Sequence, residues 1–145
     1  MEEREKVVTA SVYDESETYY EESLKELNAL VKVAGGRVVA SIEQKVRAYN
    51  PATLMGKGKL EELKDFVRAE DVDLVIFDQT LSGVQMREIE KVLEVDVLDR
   101  TALILDIFAS RAKTDVGKLQ VYLAQLEYGK SHLIGKKNYS RLGGG

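Results

Sequence analysis

The sequence predicts an α/β fold: a mostly parallel four-stranded sheet flanked by helices, followed by a C-terminal helical appendage. Three observations carry that prediction. Short apolar runs alternate with helix-period stretches in the order β-α-β-α-β-α-β, and right-handed crossovers turn that order into a parallel sheet. The run Leu74-Val75-Ile76-Phe77 is apolar throughout, as a strand covered on both faces is. After Asp99, two helical patterns follow with no strand between them. Leu103, Ile104, Ile107 and Phe108 share one face, and Leu119, Tyr122, Leu123 and Leu126 share the next.

Taken in order, residues 5–12 form the first strand, with Val7, Val8 and Val12 β-branched. Residues 14–26 carry six acids against Lys25. A helix begins there, near Glu17 or Thr18, and runs to Ala34. It buries Tyr20, Leu24, Leu27, Val31 and Ala34. Its acids favour the dipole of the first turns, and Gly35-Gly36 ends it, because glycine tolerates a left-handed C-terminal residue. Residues 37–46 are the second strand. Its start, Val38-Val39-Ala40, is continuous rather than alternating, which reads as a strand covered on both faces. Pro51 fits the first turn of a short helix.

Met55-Gly-Lys-Gly-Lys59 is not a P-loop, because Lys59 precedes Leu60 rather than a serine or threonine. Two readings stand: a flexible glycine turn, or backbone N–H groups with Lys57 and Lys59 meeting an RNA phosphate at a helix N-terminus. The helix over residues 60–70 buries Leu63 and Val67. Residues 73–77 are the third strand, and Asp78 and Gln79 fall at its C-terminal end, where open α/β sheets place ligands. No partner for acid–base chemistry is evident beside Asp78, so a loop or capping role is favoured. Ser82 caps a helix running to Glu94 that buries Met86, Ile89 and Leu93. Residues 95–98 are a short fourth strand, and Asp99 is the N-cap of the next helix. The final helix, residues 114–133, spans about 30 Å at about 1.5 Å per residue, with Gly129 as the point where it can break. The domain reading is therefore a sheet subdomain over residues 1–99 and a helical appendage over residues 100–145.

Charge divides the chain. Residues 1–110 hold 14 Lys+Arg and 23 Asp+Glu, a net of −9, while residues 111–145 hold 7 and 2, a net of +5. An anionic partner such as RNA prefers the C-terminal quarter; the plainer reading is a cut chain whose acidic counterpart lies downstream. The 145 residues suit one domain with an appendage. No run approaches the roughly 20 apolar residues of a membrane helix, and the polar start MEEREK is not a secretory signal. With no cysteine, disulfides, thiolate metal sites and a cysteine nucleophile are excluded. His132 is the only histidine and cannot make a multi-histidine metal site. No nucleophile elbow, HExxH or dinucleotide fingerprint occurs, so no catalytic residue is assigned.

The stretch DRTALILDIFASRAKT followed by GKLQVYLAQLEY resembles the N-terminal domain of the HflX family of ribosome-associated GTPases. The final SRLGGG resembles the glycine-rich turn that follows it there. NPATLMGKGKLEELK and DLVIFDQTLSGVQMREIEK fit the same pattern upstream, so the likeness runs from about Leu24 to Gly145. Two departures stand out: GKSHLIGKK replaces the family's usual apolar, proline-containing continuation, and Tyr122 stands where the family commonly has an acid.

The resemblance implies a non-catalytic domain cut before its GTPase domain. The intact protein would bind the large ribosomal subunit through rRNA, use GTP and Mg in that domain, help split stalled ribosomes and reside in the cytoplasm. The family's helix pairs with a second, antiparallel one beyond the glycine-rich turn, and the tip maps to residues 140–145. The expected RNA-binding residues are Lys136, Lys137 and Arg141 at the tip. Arg111, Lys113 and Lys118 on the appendage and Lys57 and Lys59 on the sheet domain rank second. The alternative is a nucleotide-binding (ATP or GTP) domain with its crevice near Asp78 and Gln79. A third reading is self-association through the stripe Leu119, Tyr122, Leu123 and Leu126, which here lacks its helical partner.

Overall fold

The structure is a computed structural model describing residues 5–111 and 115–131. Four strands alternate with helices: β1 (Lys6–Tyr13), α1 (Tyr20–Val33), β2 (Arg37–Lys45), α2 (Lys57–Ala69), β3 (Leu74–Phe77), α3 (Gly83–Leu93) and β4 (Asp96–Asp99). Two helices follow, α4 (Arg100–Arg111) and α5 (Asp115–Ser131). The sheet is parallel throughout, in the order β2-β1-β3-β4. Phe77 lies opposite Asp99, so β3 and β4 end level, while β1 runs on past Ala10, the partner of Phe77, to Tyr13, where it ends level with Lys45 of β2.

The pleat of β1 sends alternate side chains to opposite layers. Val8, Ala10 and Val12 join Val75, Phe77 and Val97 under α2 and α3, which contribute Leu60, Leu63, Val67, Met86, Ile89 and Leu93. On the other face, Val7, Leu74, Ile76 and Leu98 meet Leu24, Leu27 and Val31 of α1 and Ala102, Leu103 and Ile107 of α4. The result is a three-layer α/β/α domain with β3 buried along its length.

The helix ends follow local chemistry. Ser82 and Gln85 form a reciprocal capping box: Gln85 N–H donates to Ser82 Oγ at 3.1 Å and Ser82 N–H donates to Gln85 Oε1 at 2.9 Å. Gly36 N–H donates to the Val31 carbonyl and Gly35 N–H to the Lys32 carbonyl, both at 3.0 Å. With Gly35 at φ 97° this is a Schellman ending of α1, as the glycine pair predicts.

Several expectations are corrected. β2 is an edge strand, exposed or half-buried from end to end, rather than covered on both faces. It has β1 on one side only. Pro51 lies in a turn closed by the Asn50–Leu54 bridge, with Asn50 Oδ1 accepting from Ala52 N–H at 2.8 Å, and opens no helix. α1 starts at Tyr20 and α2 at Lys57, so Lys57 to Lys59 form the first turn of a helix rather than a loop before it. In α4 the buried face is Ala102, Leu103, Asp106 and Ile107, and Phe108 faces solvent. In α5 the stripe Leu119, Tyr122, Leu123 and Leu126 is exposed, and Gly129 does not break the helix.

Candidate functional site

Four strand ends meet at the carboxyl edge of the sheet. The β1/β3 junction is the point where the strand order reverses, the usual ligand crevice of such sheets. Here the chain's own groups bridge it. Asp78 N–H donates to the Ala10 carbonyl at 2.8 Å, and Val12 N–H donates to Gln79 Oε1 at 2.8 Å. Gln79 therefore continues the ladder with its side chain.

Asp78 is held just as firmly. Its side chain is 3% exposed, and Oδ2 accepts from the Ser23 hydroxyl of α1 at 2.5 Å. Oδ1 lies 3.2 Å from Arg100 Nε, a contact with the distance of an ion pair but not the angle of a hydrogen bond. Arg100 Nη2 donates to the Ser23 carbonyl at 3.2 Å and to Glu26 Oε2 at 3.3 Å. The carboxylate that fold position marks as a catalytic candidate thus ties β3, α1 and the start of α4 together. The sequence favours a loop or capping role for this residue; in the structure it ties separate elements together instead.

Asp99 is wholly buried. Its Oδ1 accepts from Ala102 N–H at 3.0 Å, the N-cap bond of α4, and its Oδ2 accepts from Leu81 N–H at 2.9 Å. Beside the same edge of the sheet, Tyr13 and Tyr20 stack with ring centroids 3.8 Å apart. Their hydrogen bond and proximity push the Tyr20 phenol up to about 12. An open cavity of about 520 Å³ lies between the β1–α1 and β2–α2 connections, lined by Asp14, Glu15, Ser16 and Arg47. Asp14 Oδ1 is engaged by both the backbone and the hydroxyl of Ser16, which lowers its pKa.

The basic residues singled out from sequence do not gather into one described patch. Lys57 is exposed in the first turn of α2, and Lys59 there stands 3.8 Å from Glu62. No acid occupies that turn, so two cations sit against the positive end of the helix dipole. The Gly56 backbone before them is drawn against β2: its N–H donates to Gln44 Oε1 at 2.9 Å, and a Cβ on Gly56 would come within 3.0 Å of Gln44 Nε2. That close approach explains the first glycine of the motif without a phosphate. Lys118 is exposed on α5. Arg111 ends α4, and its side chain, like Lys113, Lys136, Lys137 and Arg141, lies outside the described residues. So does His132. Among the described residues no group of three His, Cys, Asp or Glu side chains converges as a metal would require. No helix among them is long and apolar enough to cross a membrane. The network of Ser23, Glu26, Asp78 and Arg100 escaped the sequence reading; Arg100 directly after a capping aspartate was the only signal available.

The family model described as GTP-binding GTPase N-terminal matches residues 21–109. GTPase HflX of Caldanaerobacter subterraneus subsp. tengcongensis is 50% identical over 86% of this chain and 29% of its own length. GTPase HflX of Lacrimispora saccharolytica is 46% identical over 100% of this chain and 34% of its own. A solved structure of a mutated SsGBP superposes with a TM-score of 0.66 at 27% identity, over 85% of this chain and 39% of that one. The chain thus spans about a third, or less, of the length of these curated relatives.

Proposed function

This chain belongs to the GTP-binding GTPase N-terminal family, and from that premise we propose that it is a non-catalytic domain that binds the large ribosomal subunit through rRNA phosphates. The observation that carries the reading is the division of charge: a net of −9 over residues 1–110 and +5 over residues 111–145. A phosphate backbone is repelled by the sheet domain and attracted by the C-terminal quarter. Lys136, Lys137 and Arg141 are the primary contacts. Arg111, Lys113 and Lys118 support them, and Lys57 and Lys59 form a separate contact, where an anion would relieve the two cations at the α2 N-terminus. GTP and Mg are handled by a GTPase domain elsewhere in a longer, cytoplasmic protein that splits stalled ribosomes. This domain adds affinity and orientation, with no hydrolysis of its own.

The test is a pulldown of the chain against purified large subunits over a salt series. Reversing charge at Lys136, Lys137 and Arg141 weakens binding and lowers the slope of log affinity against log salt by about 2, since each lost phosphate contact removes about 0.7–0.9. An unchanged slope in the triple variant removes the site assignment. Absence of binding by the wild-type chain at low ionic strength removes the ribosome reading.

A further inference from the structure

Among the described residues, the two edges of the sheet are β2, of nine residues, and β4, of four. The register of β2 with β1 slips once, between Val38 and Ala40, and then runs unbroken from Ala40 to Lys45. Val46 N–H donates to the Tyr13 carbonyl at 2.8 Å. Backbone groups alternate along a parallel strand. Ala40, Ile42 and Gln44 therefore turn theirs to β1, while Ser41, Glu43 and Lys45 turn theirs to the open edge. The latter three are exposed, and no described strand lies beyond them.

An open edge of this length pairs with a further strand unless charge keeps strands away. Asn28 Nδ2 of α1 donates to Ser41 Oγ at 3.1 Å, so Glu43 and Lys45 also stand on the α1 side of the sheet. Neither forms an ion pair among the described residues. One charge of each sign, two positions apart, refuses most pairings and accepts one. In an antiparallel pair with a second β2, centred on Gln44, Glu43 lies opposite Lys45 of the other copy, and Lys45 opposite its Glu43. The backbones of both face the edge, so each such pair exchanges both N–H···O bonds. On the other side of the sheet Ile42 lies opposite Val46, and both already pack against the apolar cluster under α2 and α3. A slip of two residues sets Glu43 against Glu43 or Lys45 against Lys45. A slip of one turns the side chains to the wrong face.

We propose that two copies of this chain associate through β2, antiparallel about a two-fold axis at Gln44, and so join their two sheets into one. The self-complementary order of charges names a second copy rather than an unrelated peptide as the occupant. The contact stands apart from the rRNA reading, since neither Glu43 nor Lys45 is assigned to phosphate. It is equally separate from the leucines of α5. Exposed ion pairs contribute little each, and the ladder is short, so the dimer is weak and forms at high concentration.

Sedimentation equilibrium of the 145-residue chain from about 10 µM to about 1 mM tests it. The average mass should rise from 16.2 kDa towards twice that value. Glu43→Lys and Lys45→Glu, made singly, set like charges opposite each other, and each variant should stay at the monomer mass over the same range. Both positions are exposed, so far-UV circular dichroism should not change. An equimolar mixture of the two variants should associate again, because each copy then carries the charges that the other lacks. The double variant Glu43→Lys, Lys45→Glu should associate by itself. A wild-type chain that remains at 16.2 kDa near 1 mM overturns the proposal. So does a dimer that survives either single variant, which places the contact elsewhere, and so does a mixture of the two that stays monomeric.

Discussion

Replacing Asp99 by alanine tests the joint on which the helical part hangs. The buried carboxylate takes the Ala102 N–H at 3.0 Å and the Leu81 N–H at 2.9 Å, so it caps α4 and fixes the loop after β3 with one side chain. A hydrogen bond to a charged group contributes about 1.5–3 kcal/mol. Two of them, less the relief of no longer burying a carboxylate, give a loss of about 3 kcal/mol for Asp99→Ala. Asp99→Asn keeps one carbonyl oxygen and so one acceptor, for a loss of about 1.5 kcal/mol. With no tryptophan in the chain, urea unfolding followed by circular dichroism is the assay. The midpoint should fall while the slope stays constant, and Tm should drop by about 10 °C for alanine. An alanine variant within about 1 kcal/mol of wild type refutes the reasoning, as does an asparagine variant less stable than alanine.

Two further outcomes follow from the same edge of the sheet. A double-mutant cycle on Asp78→Asn and Arg100→Met should return a coupling of about 1–2 kcal/mol; the value is discounted because the arginine side chain is 25% exposed, and a coupling near zero denies the pair its tethering role. Tyr20, pushed up to about 12 by its bond to Tyr13, should ionise after ordinary tyrosines in an absorbance titration. Because the folded pKa is raised, the protonated phenol supports the fold fully below its ordinary value of 10.0 and loses that support as pH climbs through about 12. Tyr13→Phe should return the late transition towards 10.0, and a titration unaltered by that change removes the assigned cause.

The sheet was legible because its signals are local. An unbroken apolar run marked β3, a glycine pair ended α1, and Ser82 with Gln85 capped α3. What could not be read depended on neighbours. The run Val38-Val39-Ala40 looks like a central strand in any window of sequence, and only the strand order places it at an edge. The α4 face was read one position off because a core position there is occupied by Asp106, a wholly buried carboxylate. A polar residue is missing from an apolar pattern, so the pattern includes Phe108 instead, which faces solvent. For the candidate RNA contacts, net charge along the chain and the resemblance of the glycine-rich tip are the signals. Asp78 shows the opposite case: fold position alone points to a ligand site, while Ser23 and Arg100, 55 and 22 residues away in sequence, turn it into a structural tie.

The α5 helix shows why pattern and burial diverge. A helix with one apolar face declares which side is inside. With Val121 and Tyr128 on one side and Leu119, Leu123 and Leu126 on the other, α5 makes two such declarations, and the stronger one is the false guide to its packing. The weaker face lies towards α4, and its Tyr128 ring packs against both clusters. That division has a physical logic. A helix fixed to its domain by its most apolar face would have none left for a partner, whereas modest docking orders the backbone and keeps the leucine seam available. Leu119→Lys with Leu123→Lys adds two cations to the exposed face of α5 and should leave the proposed attraction to RNA intact or stronger.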